Sequence, residues 1–200
     1  NLEHDQIFID GHDIMKLPVY DVRETIGYVP QDNFLFSESI TSNIGFAYQD
    51  ISGEKIEEAA RLSDVYDNIM EFKEKFQTVL GERGVTVSGG QKQRISIARA
   101  LAKNPEVLVL DDSVSAVDTK TEDAIISNLH RVRKGRTTIF IAHRISTVKK
   151  MDKIILLDDG QVVAVGSHKE LMQTSKLYQD MVRRQQLENL VQGGGNHEGL

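Results

Sequence analysis

The sequence predicts an α/β fold, a mainly parallel sheet interrupted by a helical insertion, and three observations carry that prediction. Glu106-Val107-Leu108-Val109-Leu110-Asp111 and Thr137-Thr138-Ile139-Phe140-Ile141-Ala142 are continuous apolar runs of strand length, as expected of parallel strands covered on both faces. Between them, Thr119-Lys120-Thr121-Glu122 has capping-box spacing and opens a helical pattern through Ile125, Ile126 and Leu129, which makes a β-α-β unit. From Asp32 to Lys103 the apolar period is instead that of helices, with residues three and four apart in Lys55 to Leu62 and in Val65 to Met70.

The other elements follow in chain order. Gln6 to His12 reads as a short strand ending in an Asp-Gly turn, and Glu24 to Pro30 as a second strand stopped by proline. Beyond the β-α-β unit, Ile154 to Leu157, the turn Asp158-Asp159-Gly160 and Val162 to Val165 predict a hairpin. Ser167-His168-Lys169-Glu170 is another capping box, opening a long helical pattern that fades into a polar end containing Gly193-Gly194-Gly195. The expected organisation is core at 1–32, a helical subdomain at 33–103, core again at 104–187 and a flexible tail at 188–200.

Composition narrows the function classes. Two hundred residues, 40% hydrophobic, suffice for an ordinary globular core. A net charge of -6 disfavours nucleic acid as a partner, and the absence of cysteine excludes disulfides and thiolate metal sites. No apolar run reaches the roughly 18 residues of a membrane span, and the start carries no signal-peptide pattern. The chain begins at Asn1, and the expectation is a segment of a longer polypeptide.

Two places carry chemistry. Ser88-Gly89-Gly90-Gln91 stands at the start of a helical pattern whose apolar face is Ile95, Ala98 and Ala102 and whose charges are Lys92, Arg94 and Arg99. Glycines there let backbone N–H groups approach an anion, and the helix dipole adds attraction for phosphate. An isolated Ser-Gly-Gly more often only turns the chain, so the wider context decides. Asp111 and Asp112 end an apolar strand, where open α/β sheets place their ligands. One carboxylate can hold Mg²⁺ and the next can orient or deprotonate water, although solvated aspartates capping a strand would look alike.

Gln31, Val87-Ser88-Gly89-Gly90-Gln91, Leu110-Asp111-Asp112, Ser115-Ala116-Val117-Asp118 and His143 stand in the order of the motifs of ABC-type ATPases, over about residues 1 to 187. They resemble the Q-loop, signature, Walker B strand, D-loop and switch histidine of that family. The resemblance implies a P-loop NTPase (RecA-like) core with an inserted helical subdomain, ATP and Mg²⁺ as cofactors, and hydrolysis that powers transport. It implies Gln31, Asp112 and His143 as catalytic, Asp111 and Gln31 at the metal, and Ser88, Gly89, Gly90, Gln91, Asp118 and His143 at the nucleotide. Leu35-Phe36-Ser37-Glu38-Ser39-Ile40-Thr41-Ser42-Asn43-Ile44, with Gly81-Glu82-Arg83-Gly84, resembles the exporter branch in particular. Phe34 to Ile44 and Glu82 are then the expected contacts with membrane domains, at the cytoplasmic face of the cell membrane. In this family two domains pair head to tail, each ATP lying between one subunit's Walker A and the other's signature.

Two features depart from the pattern. No G-x-x-x-x-G-K-[ST] occurs, so the backbone cradle, phosphate lysine and metal-binding hydroxyl are missing from the sequence, and truncation of the first strands is the expected reason. Asp112 stands where the family carries a glutamate one methylene longer, which predicts slow hydrolysis because catalytic geometry is sensitive to displacements of about 1 Å. With Tyr178-Gln179-Asp180-Met181-Val182 and Gln185-Gln186-Leu187-Glu188, this departure resembles one subunit of heterodimeric bacterial multidrug exporters, in which one of two ATP sites is degenerate. Two other readings compete. A non-hydrolysing regulatory half would also carry Asp112, while a DNA-repair or chromosome-type ATPase would have long heptad repeats between Gln31 and the signature, and none is present.

Overall fold

In a computed structural model, residues 3–48, 50–81 and 85–194 are described, and the chain divides into two compact units, Asn1–Ile141 and Ala142–Leu200. The first unit opens with β1 (Phe8–Ile9) and β2 (His12–Asp13), an antiparallel pair. The single strand expected from Gln6 to His12 is thus a hairpin: Asp10 and Gly11 have φ of 49° and 79°, and two successive left-handed residues reverse the chain. Next comes α1 (Val19–Thr25), which takes Glu24 and Thr25 out of the expected strand and leaves β3 as Ile26–Val29.

The predicted helical stretch holds α2 (Ile40–Ile44), α3 (Gly53–Leu62), α4 (Tyr66–Glu71) and α5 (Gly89–Ala102). Three of them start after a serine whose hydroxyl accepts a hydrogen bond from an amide in the first turn: Ser39 before α2, Ser52 before α3 and Ser88 before α5. Then follow β4 (Val107–Asp111), α6 (Thr119–Val132) and β5 (Thr137–Ile141). The N-cap of α6 is Asp118 and not the predicted Thr119, since the carboxylate reaches the amides of both Lys120 and Thr121.

Strands β3, β4 and β5 form a parallel sheet in that order, with Val29 opposite Leu110 and Leu110 opposite Phe140. Its covered face joins Val29, Leu108 and Leu110 to Ile95 and Ala98 of α5 and to Ile125 and Leu129 of α6 in one apolar core. Each fully buried leucine or isoleucine there contributes about 1.5–3 kcal/mol relative to exposure. The expectation of strands covered on both faces is corrected in β5, where Ile139 is 45% exposed and Ile141 46%. Only one face receives the helices' apolar side chains, so β5 alternates despite its continuous apolar run, and Tyr28 of β3 is exposed on the same side.

In the second unit, α7 (Ile145–Val148) precedes β6 (Ile154–Asp158), which pairs antiparallel with β7 (Gln161–Gly166). The predicted turn forms as Asp159 and Gly160 adopt φ of 46° and 74°. The predicted capping box opens α8 (His168–Thr174), and α9 (Lys176–Gly194) follows. Ile154, Leu156, Leu171, Tyr178 and Val182 pack together as this unit's core. Residues 188–194, expected in the tail, continue α9, while 195–200 and Glu82, an expected contact with membrane domains, lie outside the described residues. Among the described residues, no helix is long and apolar enough to cross a membrane.

Candidate functional site

The two acids are placed by the sheet. Asp111 is the last residue of β4, opposite Ile141, and the Asp112 amide donates to the Ile141 carbonyl at 2.9 Å, so both carboxylates sit at the carboxyl end of a parallel strand. The Gln31 amide, just beyond β3 and Pro30, donates from Nε2 to Asp112 Oδ2 at 3.4 Å. Residues 81 positions apart thereby converge, because β3 and β4 are register neighbours. Tyr28, which sequence reasoning passed over, donates its hydroxyl to Asp111 Oδ2 at 3.1 Å from the open face of β3. That bond to a carboxylate holds the phenol above its ordinary range. Asp112 has φ of 44°, a left-handed backbone that aspartate tolerates better than most side chains.

The sequence-predicted Ser88 to Gln91 form the start of α5. Ser88 is the N-cap and Gly89 and Gly90 are the first two helical residues. Gln91 N–H donates to Ser88 Oγ at 3.2 Å and Ser88 N–H donates to Gln91 Oε1 at 2.9 Å, a reciprocal capping box. The Ser-x-x-Gln spacing is the sequence signal for that box. Gly90 serves a close approach as well: a Cβ there would stand 3.1 Å from the Ala116 carbonyl oxygen and 3.5 Å from a Val117 methyl. The first turn of α5 therefore lies against residues 116–117, just before Asp118.

Asp118 Oδ1 accepts from the Lys120 and Thr121 amides at 3.0 and 3.1 Å as the cap of α6. Hydrogen bonding from Thr121, through side chain and backbone, keeps its carboxyl below the usual range. His143 belongs to the second unit, two residues beyond the end of β5. Its imidazole is exposed, and its carbonyl accepts from Gln185 Nε2 at 3.3 Å. Gln31, Asp111 and Asp112 are thus brought together in the first unit, as are Ser88 to Gln91 with residues 116–117.

The segment after Gln31 is held from α5. Arg99 donates from Nε to the Asn43 carbonyl at 2.7 Å, from a terminal nitrogen to Asn43 Oδ1 at 2.8 Å, and from the other to the Phe34 carbonyl at 2.9 Å. Asn43 in turn accepts from the Phe36 amide at 2.8 Å and donates to the Phe36, Glu38 and Ser39 carbonyls. Around this frame, Phe34 meets Phe36 edge-on at 5.1 Å and Phe36 stacks on Phe46 at 4.4 Å. Phe34 and Phe46 are exposed, so the aromatic surface extends past the predicted Phe34 to Ile44 stretch. A separate cavity of about 700 Å³, lined by Tyr48, Ile51, Lys55, Leu101 and Lys103 among others, contains none of the predicted site residues. Its Lys103 is engaged by the Arg23 carbonyl at 2.6 Å.

Comparison with known proteins points the same way. The family described as ABC transporter matches residues 1–115. The alpha-hemolysin translocation ATP-binding protein HlyB of Escherichia coli is 46% identical over 170 residues, 85% of this chain and 24% of that protein. The ATP-binding/permease protein YheI of Bacillus subtilis, whose name includes multidrug resistance, is 44% identical over 188 residues, 94% of this chain and 32% of that one. A solved structure of a bacterial Atm1-family ABC exporter with ATP bound superposes with a TM-score of 0.85 at 42% identity, over 89% of this chain and 31% of that one. The chain therefore spans about a quarter to a third of the length of these relatives.

Proposed function

Because the chain belongs to the ABC transporter family, as a nucleotide-binding domain of exporter type with the α/β fold of that family, we propose that it binds ATP and helps hydrolyse it to power export through a membrane. The observation that carries this reading is the convergence of Gln31 on Asp112, 3.4 Å apart, beside Asp111 at the end of β4. Bound MgATP would supply the scissile phosphoanhydride and the cation that neutralises its charge. The residues present fit that group. Among the described residues, no set of three or more histidines and carboxylates is placed to hold a metal ion, whereas magnesium is commonly held by one or two carboxylates, its waters and substrate phosphates.

In this reading Asp111 would offer its carboxylate to magnesium, and Gln31 would contact the metal and the attacking water. Asp112 orients that water and accepts its proton. His143 contacts the transferred phosphate. Ser88, Gly89, Gly90 and Gln91 present a helix start to the phosphates of a nucleotide held chiefly by a second, head-to-tail domain, with Asp118 at the same junction. The capping box supports this role by leaving the Ser88 O–H proton available for donation, since the bond from Gln91 N–H uses only a lone pair. Residues 33–103 form the helical subdomain, and the Phe34, Phe36 and Phe46 surface meets the membrane domains at the cytoplasmic face. Relatives named for toxin translocation, multidrug resistance and export favour this reading over a DNA-repair or chromosome-type ATPase.

The partner is a different chain with a longer acid, this chain's Asp112 belongs to the slower of two ATP sites, and the cargo is a multidrug-type lipophilic compound. The assembled transporter tests the assignment of the acid. With the partner's catalytic acid removed, Asp112→Glu should raise ATP turnover at least tenfold, because the added methylene restores reach toward the water. Turnover with Asp112 equal to that with glutamate would sink the assignment of a weakened acid. Single-turnover hydrolysis at the same site separates a slow enzyme from a non-hydrolysing regulatory half.

A further inference from the structure

Gln93 is polar, only 7% exposed, and lies one turn inside α5 with no part in the proposed nucleotide contacts. A buried amide is costly unless its donors and acceptor are used. Gln93 Oε1 accepts from the Ala116 amide at 3.0 Å, and Nε2 donates to Ser115 Oγ at 3.5 Å. The amide's orientation is dictated by chemistry, since the Ala116 N–H can face only an oxygen. Ser115 Oγ donates to the Asp112 carbonyl at 2.8 Å, and the Ser115 amide points to the same carbonyl at 3.4 Å. A serine hydroxyl has one proton, so with that proton on Asp112 it receives the Gln93 bond as acceptor. The chain of donors runs one way, from Gln93 through Ser115 to Asp112.

The far end of that chain matters because Asp112 is held mainly by its backbone. Its amide donates to Ile141 at 2.9 Å, its carbonyl takes both Ser115 donors, and its φ of 44° keeps it in a sparsely populated well. The direction of its carboxylate is therefore set by these main-chain anchors, with the Gln31 contact at 3.4 Å added. At the near end, α5 presses on the same segment, because Gly90 leaves room for Ala116 where a Cβ would stand 3.1 Å from its oxygen. A movement of the first turn of α5 must move residues 115–116, and these carry the anchor of Asp112.

We propose that Gln93 is a positioning residue that couples the Ser88–Gln91 helix start to the Asp112 carboxylate of the same chain through Ser115. The inference rests on Asp112 acting as the hydrolytic acid. Nucleotide engaging the helix start then changes the aim of Asp112 within one subunit, which links the two composite sites without a contact between their ligands.

The test uses the assembled transporter with the partner's catalytic acid removed, so that single-turnover hydrolysis reports the Asp112 site. Gln93→Leu and Ser115→Ala should each slow it roughly tenfold at unchanged KM for ATP, in keeping with the sensitivity of catalysis to small displacements. The double variant should be no slower than the slower single variant, because both break the same chain. Ser115→Thr, which keeps the hydroxyl, should retain the rate, a rescue that a merely structural role would not require. Ser115 is exposed, so its two variants carry the test even if Gln93→Leu fails to fold. Multiplying effects in the double variant, or equal rates for Ser115→Ala and Ser115→Thr, overturn the coupling. Asp112→Asn distinguishes the levels: if it leaves the rate unchanged, the role of the acid fails and takes the coupling with it. If it slows hydrolysis while Gln93→Leu and Ser115→Ala do not, only the coupling fails.

Discussion

At the start of α5, Ser88 and Gln91 hold each other's backbone N–H groups at 3.2 and 2.9 Å, whereas among the described residues the Asp112 carboxylate has one side-chain partner, Gln31, at 3.4 Å. One region is fixed by bonds within four residues. The other depends on strands and loops far apart in sequence meeting correctly. Preorganised donors would suit the proposed role of this helix start, presenting N–H groups to a phosphate without rearranging. A longer contact across two loops would suit the proposed role of Asp112, in which it exchanges partners when water and metal bind. The contrast also predicts where damage spreads: from the helix start no farther than residues 115–116 and Asp112, and widely from the framework that carries Gln31.

The largest effect is expected from that framework. Arg99 is half-buried, and its guanidinium serves the Asn43 carbonyl, Asn43 Oδ1 and the Phe34 carbonyl, so Arg99→Ala strips donors from three acceptors at once. Hydrogen bonds to charged groups contribute about 1.5–3 kcal/mol, and part of the loss is relieved by water entering, so a net destabilisation of about 3 kcal/mol is expected. The urea midpoint measures it. Gln31 lies three residues before Phe34, so the variant should also weaken the contact with Asp112. An Arg99→Ala protein as stable as the original would show that the acid end does not depend on this distant framework.

A smaller effect sharpens the other side. Ser88→Ala removes the hydroxyl that accepts from the Gln91 amide, and loss of a serine cap costs about 1 kcal/mol. Hydrogen exchange should accelerate in the first turn of α5 and remain unchanged around Asn43. Equal acceleration at both places would mean that the helix start and the Arg99–Asn43 framework respond as one unit.

These two regions were also unequally legible in the sequence. The helix start was readable because its signals are local: two glycines follow a serine, and a glutamine stands three residues after that serine. The strands carrying the acids were readable from their apolar runs, and the β6–β7 turn from Asp-Gly. Harder to read was Arg99, which on sequence grounds belongs to the charged side of α5 yet turns inward to carbonyls 56 and 65 residues away. Local periodicity contains no record of such distant acceptors. The open face of the sheet was hidden for a related reason, because an apolar run states what a strand could bury and not what comes to cover it. Thr119 and Asp118 both offer an oxygen before α6, and the choice of Asp118 depends on loop geometry that residue type alone does not encode.

Asp118 supplies the smallest and most conditional effect. Its carboxylate accepts from Thr121 and Lys120 in the folded chain, which keeps its pKa below the unfolded value of about 3.9. A depressed folded pKa gives stability that is fully present above the unfolded pKa and is lost as pH falls through the folded one. Asp118→Asn keeps a capping oxygen but loses the charge, so it should be slightly less stable than the original at neutral pH, with the difference shrinking below about pH 4. Urea denaturation at a series of pH values measures that difference. A gap that widened on acidification would reverse the sign and show that the Asp118 carboxylate is not stabilised by the start of α6. The acid-dependent part of this cap would then have to come from another charge, and the junction between α5 and α6 could no longer be treated as fixed by local bonds in the way the Ser88–Gln91 start is.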